Sequence, residues 1–321
     1  MRFKRAFSVL IDNFKITYKL LLYKIIVAAI AIGAIALSLY PVVSRLLEST
    51  QWTNLIEKIK EFIDQFIAGH MGELPEISSQ IKDNLELFVK HVLTLSGNII
   101  LGVILVVVIY AIHNFLTGLG DYTAAVMVND KMTLQSDSPF ISTFIKNFAS
   151  AVKYNSIYVP LSVLFDLLVI AICYLLFFIA LNFIPLLLKL FLFVFVLILA
   201  TSIKQSYTVG WLPSMIAGKL RCRDAIKYSF KVNRKLLTIF IFDFFLINVL
   251  IIALTVGFSI FTVGVAALIF IPASSLFIIC YTFVYYFDYN DYKYFIDPET
   301  IVKPKKERKL TREEFFKGEQ N

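Results

Sequence analysis

The chain has 321 residues, of which 59% are hydrophobic, and its formal net charge is +8. Its mean hydropathy is +0.77, and its apolar fraction exceeds the roughly 45–50% of ordinary soluble domains. This composition excludes most soluble enzymes and indicates an integral membrane protein.

Six long apolar runs account for the excess, and each is close to the ~20 residues that a helix needs to cross a bilayer core of about 30 Å. The runs are Leu20–Val43, Asn98–Leu116, Ile157–Leu181, Leu186–Ile203, Leu236–Val256 and Phe261–Phe287. A segment in lipid must satisfy its own backbone hydrogen bonds, and the sequence lacks the ~10-residue alternating segments of a barrel. We therefore predict an all-α membrane protein with six transmembrane helices.

Lys and Arg are concentrated in alternate gaps between these runs. Five lie in residues 1–19, three in 119–155, eight in 204–235 and eight in 288–321. Because positive residues stay on the cytoplasmic side, this pattern predicts that both termini are cytoplasmic. It also explains the net charge without a nucleic-acid partner. The abundance of Lys, Ile and Phe fits a bacterial source and therefore a bacterial cytoplasmic (inner) membrane.

The topology predicts four parts of the chain. Residues 1–44 hold a cytoplasmic amphipathic helix and the first crossing, and residues 45–96 form an extracytoplasmic insertion. Residues 97–287 hold five crossings with basic cytoplasmic loops, and residues 288–321 form a basic cytoplasmic tail.

The sequence of the insertion 45–96 predicts a helical hairpin. Apolar residues from Trp52 to Ile67 recur at the spacing of one helical face. Gly69 is expected to end this helix, and Ser78 or Ser79 to cap a second one. Two such helices are too small to form a core, so we expect them to pack on each other, on the outer membrane surface or on a membrane-protein partner.

The chain also indicates a threefold repeat in which a basic amphipathic helix precedes an outward and a returning crossing. The opening helices are Arg5–Lys15, Thr143–Tyr154 and Asp224–Lys235. They either lie in the cytoplasmic interface, with Lys among the headgroups, or extend the crossing that follows.

Lys24, Asp166 and Asp243 are ionisable residues that fall within or at the edge of apolar runs. A charge in the membrane normally faces a partner or water, and the repeat places all three at a similar depth. We predict that they meet as a polar intramembrane site for an ion, a proton or a headgroup. The alternatives are a structural ion pair, or Lys24 reaching the interface alone. Pro272 predicts a kink beside Ser274 and Ser275.

The tail is expected to bind anionic lipid headgroups at the cytoplasmic surface, since polybasic juxtamembrane segments are attracted there. The candidate contacts are Lys303, Lys305, Lys306, Arg308 and Lys309. The three histidines lack a second ligand at helical spacing, and no Gly-rich phosphate loop or catalytic carboxylate pair is visible. The sequence therefore predicts no metal, no cofactor and no enzymatic activity.

The stretch Pro213–Lys235, followed by an apolar run, resembles bacterial six-helix membrane families. These include the YciC-like proteins and the membrane domain beside some glycerophosphodiester phosphodiesterases. The shared pattern before the fifth crossing falls on Ala225, Ser229, Phe230 and Lys235. The resemblance covers about 25 residues well and implies a helical membrane module. The phosphodiesterase domain has no counterpart here.

We expect a non-catalytic membrane protein that organises, assembles or regulates envelope components through the external hairpin and the basic cytoplasmic face. The alternative is a transporter or permease subunit that uses Lys24, Asp166 and Asp243.

Overall fold

The structure, a computed structural model, describes residues 2–70, 72, 74–94, 96–133, 138–180, 186–262 and 264–293. Within these ranges the chain forms α-helices, one π-helical segment (Leu175–Ala180) and no strand. The helices are α1 (Arg2–Asp12), α2 (Phe14–Leu47), α3 (Thr50–Ala68), α4 (Leu74–Thr94), α5 (Ser96–Met132), α6 (Phe140–Tyr174), α7 (Leu186–Thr208), α8 (Trp211–Ile216), α9 (Cys222–Phe261) and α10 (Val265–Tyr289).

Six helical stretches among the described residues are long and apolar enough to cross a membrane, which confirms the predicted fold class. They are Phe14–Pro41, Leu101–Met132, Phe140–Phe177, Phe191–Ile216, Leu236–Phe261 and Val265–Tyr289. Lipid-facing side chains explain why most of these stretches are poorly buried within the protein, since hydrocarbon replaces a protein neighbour there.

The chain divides into two compact units, and the larger one comprises Met1–Lys24 and Thr117–Asn321. Its centre is α10, whose last three turns are almost wholly buried. Aromatic rings pack α9 on α10: the centroids of Phe240 and Tyr285 are 4.4 Å apart, and those of Phe244 and Tyr281 5.4 Å. α1 also packs on α10, and its Ala6 is fully buried.

The opening helices of the predicted repeat differ from one another. α6 and α9 run without a break from the amphipathic segment into the crossing. Only the first is a separate helix, because α1 ends at Asp12 and α2 begins at Phe14. For the second and third units, the extension of the crossing was therefore the right alternative.

The smaller unit, Ile25–Leu116, contains the predicted hairpin. Ser49 caps α3 by accepting a hydrogen bond from the backbone N–H of Trp52 at 3.3 Å. α3 stops where expected, because Gly69 adopts a left-handed φ of 79° that glycine tolerates best. The second helix begins at Leu74, earlier than Ser78 or Ser79, so that part of the prediction was wrong.

Candidate functional site

Lys24 lies in the first crossing and is held by two other helices of the larger unit. Its Nζ forms an ion pair with Asp121 Oδ1 of α5 at 2.9 Å and donates a hydrogen bond to Ser275 Oγ of α10 at 2.7 Å. The Lys24 side chain is only 14% exposed. Ser275 follows Pro272, through which α10 continues as a helix.

Asp166 has a partner on the next returning crossing. Lys204 Nζ of α7 lies 2.6 Å from Asp166 Oδ1 and donates a second hydrogen bond to Ser162 Oγ at 3.1 Å. Both charged side chains are about four-fifths buried. The pair therefore links α6 to α7 with little contact with solvent.

Asp243 has a neutral partner. Tyr281 of α10 donates its hydroxyl to Asp243 Oδ2 at 2.5 Å. The other oxygen, Oδ1, accepts no hydrogen bond from any residue that the structure describes, and Asp243 forms no ion pair within that part of the chain.

The predicted cluster of Lys24, Asp166 and Asp243 is therefore not formed, since no hydrogen bond or ion pair among the described residues joins the three. A charge at low dielectric is stabilised by a partner within a few ångströms. In each case this partner lies on the returning crossing of the same repeat unit. The repeat places the three residues at a similar depth, but their side chains do not point to a common site.

The partners themselves follow the repeat. Asp166 and Asp243 are 77 residues apart, and so are Lys204 and Tyr281. In each of the three repeat units, a polar residue on the outward crossing contacts a polar residue on the returning crossing. This regular placement favours the threefold repeat over a chance likeness.

Sequence reasoning missed Asp121, Lys204 and Tyr281. The apolar runs end before Asp121 and Lys204, so the sequence pattern places both residues in the gaps between crossings. α5 and α7 continue past both residues. The 77-residue offset was the available signal, because it projects the Asp166–Lys204 pair onto Asp243 and Tyr281.

Asp243 also lines an open groove of about 660 Å³ in the larger unit. Its polar residues are Arg2, Asp243 and Tyr281. Its apolar residues are Phe3, Leu246, Ile247 and Leu250. The groove therefore places an intramembrane carboxylate between a guanidinium and an apolar wall.

Arg2 is loosely held at the polar end of this groove. Its Nε lies 3.8 Å from Asp288 Oδ2, whereas Arg5 Nη1 donates a hydrogen bond to Asp288 Oδ1 at the shorter distance of 3.0 Å. The Arg2 guanidinium carbon is 5.4 Å from the ring centre of Tyr285. Its terminal nitrogens donate no hydrogen bond to a described residue, and 38% of the side chain is exposed.

The α3–α4 hairpin is a second candidate surface. Trp52 and Phe88 contact across its seam, with ring centroids 5.5 Å apart, and Leu55 and Ile77 are buried. Large apolar side chains remain exposed on it: Ile59, Ile63, Phe66, Ile67, Leu85 and Leu87.

The pattern behind the family resemblance has a packing role in this structure. Ala225 and Ser229 are buried, and a Cβ at Gly210 would come within 2.6 Å of Ser229 Oγ. Phe230 contacts Trp211 with centroids 5.9 Å apart. Small residues at these positions let α9 approach the start of α8 closely. The side chain of Lys235 lies outside the described residues.

The candidate headgroup contacts Lys303, Lys305, Lys306, Arg308 and Lys309 also lie outside the described residues. Among the residues that are described, no group of three His, Cys, Asp or Glu side chains is placed to hold a metal ion.

Comparison of the chain with protein-family models, curated proteins and solved structures finds no match.

Proposed function

We propose that the protein is a non-catalytic component of a bacterial cytoplasmic membrane that organises, assembles or regulates other envelope components. In this proposal both termini are cytoplasmic and the α3–α4 hairpin is external. The observation that carries it is the apolar surface that the hairpin keeps exposed after its own seam has formed.

The charge of the insertion favours a protein partner over the bilayer surface. Residues 45–96 hold eight acidic and five basic side chains. Helices that lie on anionic membranes are instead rich in Lys and Arg on their polar face. A hairpin without an excess of basic residues and with a row of large apolar side chains suits an apolar patch on another envelope protein, where aromatic and aliphatic anchors supply binding energy.

The contacts in the crossings also fit a non-catalytic role. Lys24 and Asp166 are each engaged in an ion pair that links two helices. Such pairs specify helix register, whereas a catalytic acid or base must reach a substrate.

The hairpin surface can be tested by photo-crosslinking of the full-length protein in native membranes. A photoreactive residue at the exposed Ile67 should give a discrete adduct with one envelope protein, and Ile63→Glu should reduce that adduct about tenfold by placing a charge in the contact. A probe at Glu57, on the polar face of α3, is the matched control and should give none.

The supporting outcome is a single partner, identified by mass, whose adduct is reduced by Ile63→Glu and unchanged by Glu57→Gln. Adducts with lipid alone, or with a second copy of this chain, would contradict a role in organising other components.

The orientation can be tested with the native Cys222, which is partly exposed, whereas Cys173 and Cys280 are buried. A membrane-impermeant maleimide should label Cys222 in inside-out vesicles and not in right-side-out ones. Burial raises the pKa of the Cys222 thiol, so less thiolate is present at neutral pH. Labelling should therefore be slower than at an exposed Arg223→Cys in a Cys222→Ser background, and this difference should shrink as the pH rises. Equal labelling from both sides would contradict the topology.

Transport is the second candidate function, and Asp243 in its open groove is the observation that favours it. A water-filled path along the groove would allow a charged thiol reagent to react with Leu250→Cys. Protection of that cysteine from charged reagents, with reaction toward lipid-soluble ones, would remove this candidate.

A further inference from the structure

We propose that the groove at Asp243 is a binding site for a single-chain phospholipid. The phosphate contacts Arg2, the free glycerol hydroxyl donates to Asp243, and the acyl chain lies on Leu246 and Leu250. This site goes beyond the proposed organising role and does not depend on the hairpin.

The apolar wall has the shape that a chain requires. Leu246, Ile247 and Leu250 follow Asp243 at i+3, i+4 and i+7, so they form one face of α9. This face extends about 10 Å into the crossing at 1.5 Å per residue. Leu246 and Leu250 are 50% and 43% exposed, so these two side chains are open to an acyl chain, whereas Ile247 is buried in the protein core.

The polar groups are stacked in the order of a lipid headgroup. Asp243 is bonded to Tyr281, whereas Arg2 lies beside Tyr285 and Asp288, nearer the end of α10. The four residues from Tyr281 to Tyr285 correspond to about 6 Å along the helix. In a lysophospholipid, the phosphate likewise lies just outside the free hydroxyl of the glycerol.

Each polar group retains the capacity that this ligand needs. Asp243 Oδ2 is occupied by Tyr281, and Oδ1 accepts nothing from the described residues, so it can take one hydrogen bond. The terminal nitrogens of Arg2 can make a paired contact with phosphate, the geometry for which a guanidinium is best suited.

Asp243 also explains why one chain is preferred to two. In a diacyl lipid the same glycerol oxygen is esterified and has no hydrogen to donate. Two acceptors would then face each other at low dielectric, which leaves the carboxylate oxygen unpaired and disfavours binding. The carboxylate therefore selects for a free hydroxyl.

The test measures binding to the purified full-length protein in maltoside micelles by native mass spectrometry. The probes are 16-carbon lysophosphatidylglycerol, its analogue without the 2-hydroxyl, and diacyl phosphatidylglycerol. We expect the lysolipid to bind about tenfold more tightly than either other probe, the effect of one lost hydrogen bond to a charged group. Equal binding of the three would overturn the proposal without any variant.

Variants then assign the contacts. Arg2→Gln should weaken all three probes about tenfold, whereas Arg223→Gln, an exposed basic residue outside the groove, should change nothing. Asp243→Leu should bind the lysolipid and its deoxy analogue equally, and Asp243→Val, which also lacks an acceptor, provides the same comparison if the leucine variant does not fold. Retention of the hydroxyl preference by either Asp243 variant would overturn the assignment. The hairpin plays no part in this binding, so failure here leaves the crosslinking result unaffected.

Discussion

Replacing Lys24 with methionine should lower the free energy of unfolding by about 3 kcal/mol, because it leaves Asp121 in a membrane-crossing helix without its cation. Lys24 Nζ is 2.9 Å from Asp121 Oδ1 and also bonds to Ser275, so one side chain joins three helices. Methionine keeps most of the volume and removes only the charge and its hydrogen bonds. The loss is measured by denaturation of the protein in micelles, followed by tryptophan fluorescence.

Two controls separate the charge from the packing. Lys24→Met combined with Asp121→Asn removes both charges and should recover most of the loss, since a paired charge can be replaced by neutral groups at little cost. Lys90→Met breaks an ion pair with Glu86 in which both side chains are about two-thirds exposed. That variant should cost less than about 0.5 kcal/mol. If Lys24→Met and Lys90→Met lowered the free energy of unfolding by similar amounts, the intramembrane ion pair would contribute no more to stability than an exposed one.

The number and type of crossings could be predicted from the sequence, because the cost of placing polar backbone or side chains in hydrocarbon leaves a strong signal. The ends of the helices could not. The second apolar run stops at Leu116, yet α5 continues to Met132. The fifth begins at Leu236, yet α9 begins at Cys222. Hydropathy marks contact with lipid, whereas these extensions are stabilised by packing, as the fully buried Ala124 and Ala125 show.

The polar site illustrates the same limit. Charges within apolar runs identified Lys24, Asp166 and Asp243, and each of them does contact another polar residue. Which residue it contacts depends on the rotation of each helix about its axis. Sequence spacing fixes depth along a helix and not that rotation. Tyr281 carries no charge and is one of many aromatic residues in its run, so the 77-residue offset identifies it as the partner of Asp243 only after the structure has shown the Asp166–Lys204 pair.

The hairpin was predicted better at one end than at the other for a local reason. Gly69 ends α3 because a left-handed residue is needed there, and glycine marks that need in the sequence. The start of α4 carries no equally specific residue. Two serines are only one class of cap, and the helix begins at Leu74 instead.

Replacing Gly120 with alanine should destabilise the protein by about 1–3 kcal/mol, the cost of inserting one carbon into a packed site. A Cβ at this position would lie 2.5 Å from two ring atoms of Tyr23. The ring cannot easily move away, because Phe140 and Phe144 of α6 pack against it with centroids 6.1 Å and 5.9 Å distant. If the α2 backbone shifts to relieve the clash, Lys24 also moves relative to Asp121, and their 2.9 Å ion pair is weakened as well.

Gly257→Ala is the matched control, since it adds the same carbon to another crossing helix where no atom lies within 4 Å. It should be neutral or stabilise the protein by up to about 1 kcal/mol, because alanine restricts the unfolded chain. The variant Tyr23→Leu should relieve the clash, so that Gly120→Ala costs less in its presence than in the native chain. Equal effects of the two glycine substitutions, or full additivity of Gly120→Ala with Tyr23→Leu, would mean that α2 and α5 are not held in contact by this ring.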